Sequence, residues 1–149
     1  MIYLMNDKNY ASALRTQSES LIQKLSNWTT FHIFVLRIKN GNFFFFKNYF
    51  EDFYENQSDK VKKKIVWTLR VIEEIDQIPE IYLKHLSDTT GLYEIRIQVG
   101  NNIYRIFCFF DLGNIIVVGH GFHKKTQKTP KQQIERAEQI KKEYYESKK

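Results

Sequence analysis

Four basic side chains crowd the point where an apolar run gives way to a polar one. The segment "NIIVVGHGF" is followed by "HKKTQKTP", which holds His123, Lys124, Lys125 and Lys128, interleaved with Thr126 and Thr129. Two arginines precede them, Arg96 in "YEIRIQ" and Arg105 in "IYRIF". Guanidinium and ammonium groups set together bind phosphate oxygens, and flanking aromatics such as Phe122, Tyr93 and Tyr104 offer rings on which bases stack. Such a set fits a nucleic-acid strand. Charge clusters more often mark only a solvated helix approach, which is the plainer reading of the lysines.

Arg105 is the anomaly among these residues. Strand alternation puts it on the same side as Ile103 and Phe107, a face that does not suit a charge. It needs an anionic partner, either Glu94 or another carboxylate of the chain, or a phosphate brought by a ligand. By the same alternation Tyr93, Ile95 and Ile97 face the core, and Glu94, Arg96 and Gln98 face away. His85, His120 and His123 titrate near neutrality and are candidates for acid or base, though a lone histidine is more often an ordinary surface or packed one. No metal-ligand spacing and no glycine-rich phosphate loop is present, so neither a metal nor a cofactor is expected.

The elements that must position these residues follow from periodicity. "FHIFVLRI" (31–38) and "NFFFF" read as two strands joined through Asn40-Gly41, the pair favoured in tight hairpin turns. A short helix over 50–54 and a long one after Ser58 make a helical hairpin. In the long helix Val61, Ile65, Leu69, Ile72 and Ile75 form one apolar face, and Pro79 closes the segment. Strands over 91–99, 102–110 and 114–122 are linked by "GNN" and "DLGN", short enough for an antiparallel meander. Thr129, Pro130 and Gln132 read as a capping box opening a terminal helix whose stripe is Ile134, Ala137, Ile140 and Tyr144. The expectation is an α+β domain: a curved antiparallel sheet with helices on one face and the other face free for a ligand.

Composition agrees with a polyanionic partner. The 149 residues carry a net charge of +6, and the stretch from Lys124 onward holds nine Lys/Arg against four Glu. The single cysteine, Cys108, sits in "YRIFCFF" and reads as a core residue; it excludes a disulfide framework. "MIYLM" is too short for a secretory signal and no run is long enough to span a membrane, so a cytoplasmic protein is expected. Residues 1–41 read as an accessory segment with a possible extra edge strand at 31–38, and 42–149 as the main domain.

The stretch "LYEIRIQVGNNIYRIFCFFDLGNIIVVGHGFHKKTQKTPKQQIERAEQIKKEY" resembles the HigB-like, phage-derived branch of the RelE/ParE toxins, in its "LYE-R", "YR" and "GF-KKT-KTP" elements and its closing helix. The resemblance begins near "FFFFKNYFEDFY". It implies a RelE-like fold with a helical hairpin before the meander and a helix after it. It also implies a metal-independent endoribonuclease that cuts mRNA, usually in the ribosomal A site, and a helix-turn-helix antitoxin as partner. It places catalytic roles on Arg96, Arg105, Lys124 and Lys125, an RNA contact on Phe122 and weaker ones on Lys84 and His85; Tyr93, His123 and Lys128 join the RNA-contacting set from the residue pattern above. Two departures bear on the chemistry: Glu94 stands where some relatives are basic, and no tyrosine follows "KKT" where several relatives have a catalytic one. The proton-abstracting group is therefore open among His123, His85, a lysine of lowered pKa and Glu94. Relatives of the same fold that poison DNA gyrase, or a plain RNA-binding module, are the competing functions.

Overall fold

The computed structural model describes residues 35–38, 41–112 and 115–149, so the accessory segment up to residue 34 lies outside the described residues. Strands β1 (Val35–Ile38) and β2 (Gly41–Phe45) are followed by helices α1 (Tyr49–Glu55) and α2 (Asp59–Glu74). Then come β3 (Leu83–His85), β4 (Leu92–Val99), β5 (Asn102–Asp111), β6 (Ile115–Lys124) and helix α3 (Lys131–Ser147). The six strands form one sheet in the order β1-β2-β6-β5-β4-β3. The domain is α+β, as expected, and consistent with a RelE-like fold.

Two features of the sheet correct the sequence-based picture. It is mixed, because β2 pairs parallel with β6 while every other pairing is antiparallel. And helices lie on both of its faces. The four phenylalanines of β2 and its exit report this directly: Phe45 packs on Phe50 of α1, whereas Phe44 and Phe46 pack on Tyr144 of α3. A run of phenylalanines without polar alternation is what a strand buried on both sides requires. The α3 side of the core joins Phe46, Leu92, Phe107, Phe109 and Val117 to Ala137, Ile140 and Tyr144. Cys108 is free and fully buried, which pushes its thiol pKa up.

The β1–β2 hairpin forms with Ile38 opposite Gly41, so Gly41 is the first residue of a strand and not a centre of the turn. Helix α2 buries Val61, Ile65, Leu69 and Ile72 as the spacing demands, but ends at Glu74 and leaves Ile75 exposed. The meander is antiparallel with β6 running to Lys124, two residues beyond the expected end. Between Ile106 and Cys108 the β5–β6 register shifts, Ile106 facing Gly121 and Cys108 facing Val118, so β6 carries one extra residue there. This bulge turns His120 against Phe107. Gly121 lies beneath α1, where a Cβ would come within 2.4 Å of the Phe53 ring.

Helix α3 does not open on the expected capping box. Pro130 occupies the cap position, and the Thr129 hydroxyl is turned away to Glu94 of β4, 3.1 Å distant. One tertiary contact takes the place of a local one.

Candidate nucleic-acid interface

Register decides which candidate residues meet. Arg96 of β4 faces Arg105 of β5, and Arg105 faces Phe122 of β6, so the three stand side by side across the sheet. Lys84 of β3 faces Glu94, and Lys124 faces Ile103. Residues directly opposite share a face. Lys84, Glu94, Arg96, Arg105, Phe122 and Lys124 therefore all lie on the α3 side, beyond the N-terminal end of that helix. Four cations surround one carboxylate there, a local excess of three positive charges.

Glu94 is the hub and is only 3% exposed. Its Oε1 lies 3.3 Å from Nε of Arg105 and 3.6 Å from Nε of Arg96, and its Oε2 accepts from Thr129. Neither Nε makes a well-formed hydrogen bond, so both pairs act mainly by charge. Arg105, 5% exposed, donates from Nη1 to the Tyr104 carbonyl at 2.9 Å; burial lowers its pKa, with Glu94 opposing and Arg96 adding to the shift. Thus the internal ion pair is the partner that the odd parity of Arg105 demanded. Arg96 is more open and reaches the Glu80 carbonyl at 3.1 Å.

Lys124, at the end of β6, feels the same group of charges. Its pKa is lowered, first by burial and then by Arg105, with Glu94 opposing and Arg96 and Lys84 adding to the depression. That is the direction that favours the neutral amine over the ammonium. Phe122 beside it stacks on Phe107, ring centroids 5.5 Å apart.

The remaining candidates lie elsewhere. His123 faces Tyr104 and stacks on it at 4.8 Å, on the α1 side of the sheet, so one residue of strand alternation separates it from Lys124. His85 faces Tyr93 and contacts its ring at 5.0 Å, again on that side. His85, Tyr93 and His123 are therefore not part of the cluster around Glu94. Lys125 and Lys128 are exposed beyond the end of β6. His120 is on the right face but 1% exposed, with Nε2 at 2.9 Å from the Gln133 amide oxygen; burial pushes its pKa down to about 4, so it is a neutral packing residue at physiological pH. Thr129 belongs to the cluster although sequence reasoning placed it in a cap. No group of three or more potential metal-ligating side chains occurs among the described residues, and no helix among them is long and apolar enough to cross a membrane.

The more exposed members of this cluster, Lys84, Arg96 and Lys124, form a cradle that can hold a phosphodiester and neutralise charge that develops on it, with Arg105 buried behind them on Glu94. One protein-family model, "Phage derived protein Gp49-like (DUF891)", matches residues 52–142, which is more than half of the chain and includes every residue of the cradle. No curated protein matches the sequence.

Proposed function

The chain belongs to the phage-derived Gp49-like family, which is associated with RelE/HigB-like toxins, and on that premise we propose that it is the toxin of a toxin–antitoxin pair and a metal-independent mRNA endonuclease. The observation that carries the nuclease reading is the cradle itself: Lys84, Arg96, Arg105 and Lys124 gathered around a single buried carboxylate.

The reaction uses the substrate's own nucleophile. Lys124 in its neutral form takes the 2′-hydroxyl proton, O2′ attacks the adjacent phosphorus, and the bond from phosphorus to the 5′-oxygen breaks. The leaving oxygen takes a proton from an ammonium or water, giving a 2′,3′-cyclic phosphate and a 5′-hydroxyl end. Arg96 holds the non-bridging oxygens as the phosphorane gains charge, a role worth on the order of 3 kcal/mol for a well-placed donor, and buried Arg105 adds its charge from behind. Glu94 keeps those two guanidiniums in place. Phe122 offers its ring to a neighbouring base.

The ribosomal A site is the expected setting for the cut, and a helix-turn-helix antitoxin with an acidic surface over the cradle is the expected means of silencing. Sequencing mRNA 5′ ends after induction of the toxin tests the reading. New 5′-hydroxyl ends within translated frames support it. Growth arrest without such ends, accompanied by DNA damage, would point instead to a gyrase poison, and neither effect would leave a plain RNA-binding module.

A further inference from the structure

The outer face of α2, across the sheet from the cradle, carries a second group of cations. Lys60, Lys63, Lys64 and Trp67 fall at the i, i+3, i+4, i+7 positions of one helical face, a stripe about 10 Å long. Among the described residues neither Lys60 nor Lys63 has a carboxylate within ion-pair reach, whereas Lys62, off the stripe, pairs with Glu55 at 3.2 Å. Trp67 is 45% exposed, with the Lys64 ammonium 3.7 Å from its ring centre and the Tyr82 ring edge-on at 5.7 Å.

The stripe adjoins the cradle at one end. The Tyr82 carbonyl accepts from the backbone N–H of Arg96 at 2.8 Å, so the Trp67–Tyr82 pair stands at the β3 edge of the sheet, one residue's width from a cradle arginine. A strand leaving the cradle past that edge meets two aromatic rings and then three lysines in a row. Cations that follow a backbone beside an aromatic on which a base can stack are the usual means of binding single-stranded nucleic acid.

We propose that Trp67 and Tyr82, with Lys60, Lys63 and Lys64, form a second RNA-binding surface that takes single-stranded RNA flanking the scissile phosphate. The inference rests on RNA being the cradle's substrate.

The test uses the full chain and a fluorescent 2′-O-methyl oligouridylate twelve residues long, which has no free 2′-hydroxyl and so is not cut, beside the corresponding dinucleotide. Anisotropy gives affinity at several salt concentrations. Trp67→Ala should weaken binding of the twelve-mer about tenfold, as loss of one stacked base does, with Trp67→Phe keeping most of it. Lys60→Gln/Lys63→Gln/Lys64→Gln should flatten its log–log salt dependence by about 2. Dinucleotide binding should stay unchanged in all three. The Lys84→Gln/Lys124→Gln variant should weaken both ligands. If that cradle variant binds less well and the stripe variants match the parent, the second surface is overturned and the nuclease reading stands. If only the stripe variants lose affinity, the stripe holds RNA and the cradle assignment fails. If the stripe variants keep the oligonucleotide but lose affinity for polyglutamate, the surface serves an acidic protein partner and the RNA assignment is wrong.

Discussion

Replacing Glu94 by Gln separates the roles of carboxylate and lysine in the cradle. The amide oxygen still accepts from Thr129, and Arg105 still donates to the Tyr104 carbonyl, but the negative charge between Arg96 and Arg105 is gone. Removing one partner of a buried pair costs about 3–5 kcal/mol, and the retained hydrogen bonds place this case near 3. At a few degrees per kcal/mol for a chain of this size, the melting temperature should fall by on the order of 10 °C. The sign for Lys124 follows from its surroundings. Glu94 is the charge that raises the Lys124 pKa against burial and three cations, so its loss lowers that pKa further. With Lys124 as base, activity rises with pH through the Lys124 pKa. In E94Q this acidic limb should move to lower pH while affinity for the 2′-O-methyl oligonucleotide increases. Cleavage of a fluorogenic oligonucleotide, or of translated mRNA in a purified system, measured across pH at a temperature where E94Q is folded, reads the limb. An inactive E94Q that is folded and binds RNA would make Glu94 the base and refute the assignment to Lys124; an unmoved limb would show that Lys124 does not set it.

Lys124→Met should lower cleavage by about 10²–10⁴-fold, the usual worth of a proton-transfer group, while Lys125→Met, exposed past the strand end, should change only RNA affinity; single-turnover kinetics separate the two. Asp111, buried and held by the Tyr144 hydroxyl at 2.7 Å and the Lys148 ammonium at 2.6 Å, has a pKa lowered chiefly by Lys148. Because its folded pKa lies below the unfolded one, its stabilisation is present above ordinary carboxylate values and is lost as pH falls through the folded pKa. Asp111→Asn should therefore cost on the order of 1 kcal/mol in urea melts at pH 7, because solvent screens the half-exposed Lys148, and progressively less in acid. Gly121→Ala should destabilise by about 1–3 kcal/mol, because the Phe53 ring must move; a variant as stable as the parent would show that α1 yields freely.

The fold was largely legible in the sequence, because the α2 stripe, the meander loops and the α3 stripe each carry several concordant residues. What escaped notice depends on single residues. The bulge at His120 inserts one position into β6, and β6 continues through Lys124, so the sides taken by His123 and Lys124 could not be read from a strand thought to end at Phe122. Three-residue β3 is too short for alternation to show, and it is β3 that sends Lys84 into the cradle and His85 away from it. The odd parity of Arg105 did signal a buried anion, but choosing Glu94 required the register of β4 on β5. Thr129 met every local condition for a cap, and a partner far away in sequence took its hydroxyl.

The parallel pairing of β2 with β6 sets when in synthesis the cradle can be completed. β6 is an inner strand of the sheet, yet it is the last strand to be synthesised; β2 waits for it through residues 46–114. Lys124 ends that strand, and Thr129, which clamps Glu94, follows it. A growing chain that has made both helices of the hairpin and both cradle arginines still lacks the strand that joins its two halves. Long-range closure of this kind is slow, and the cradle is complete only after it. During synthesis the cradle therefore stays incomplete until β6 and the Thr129 that follows it have been made.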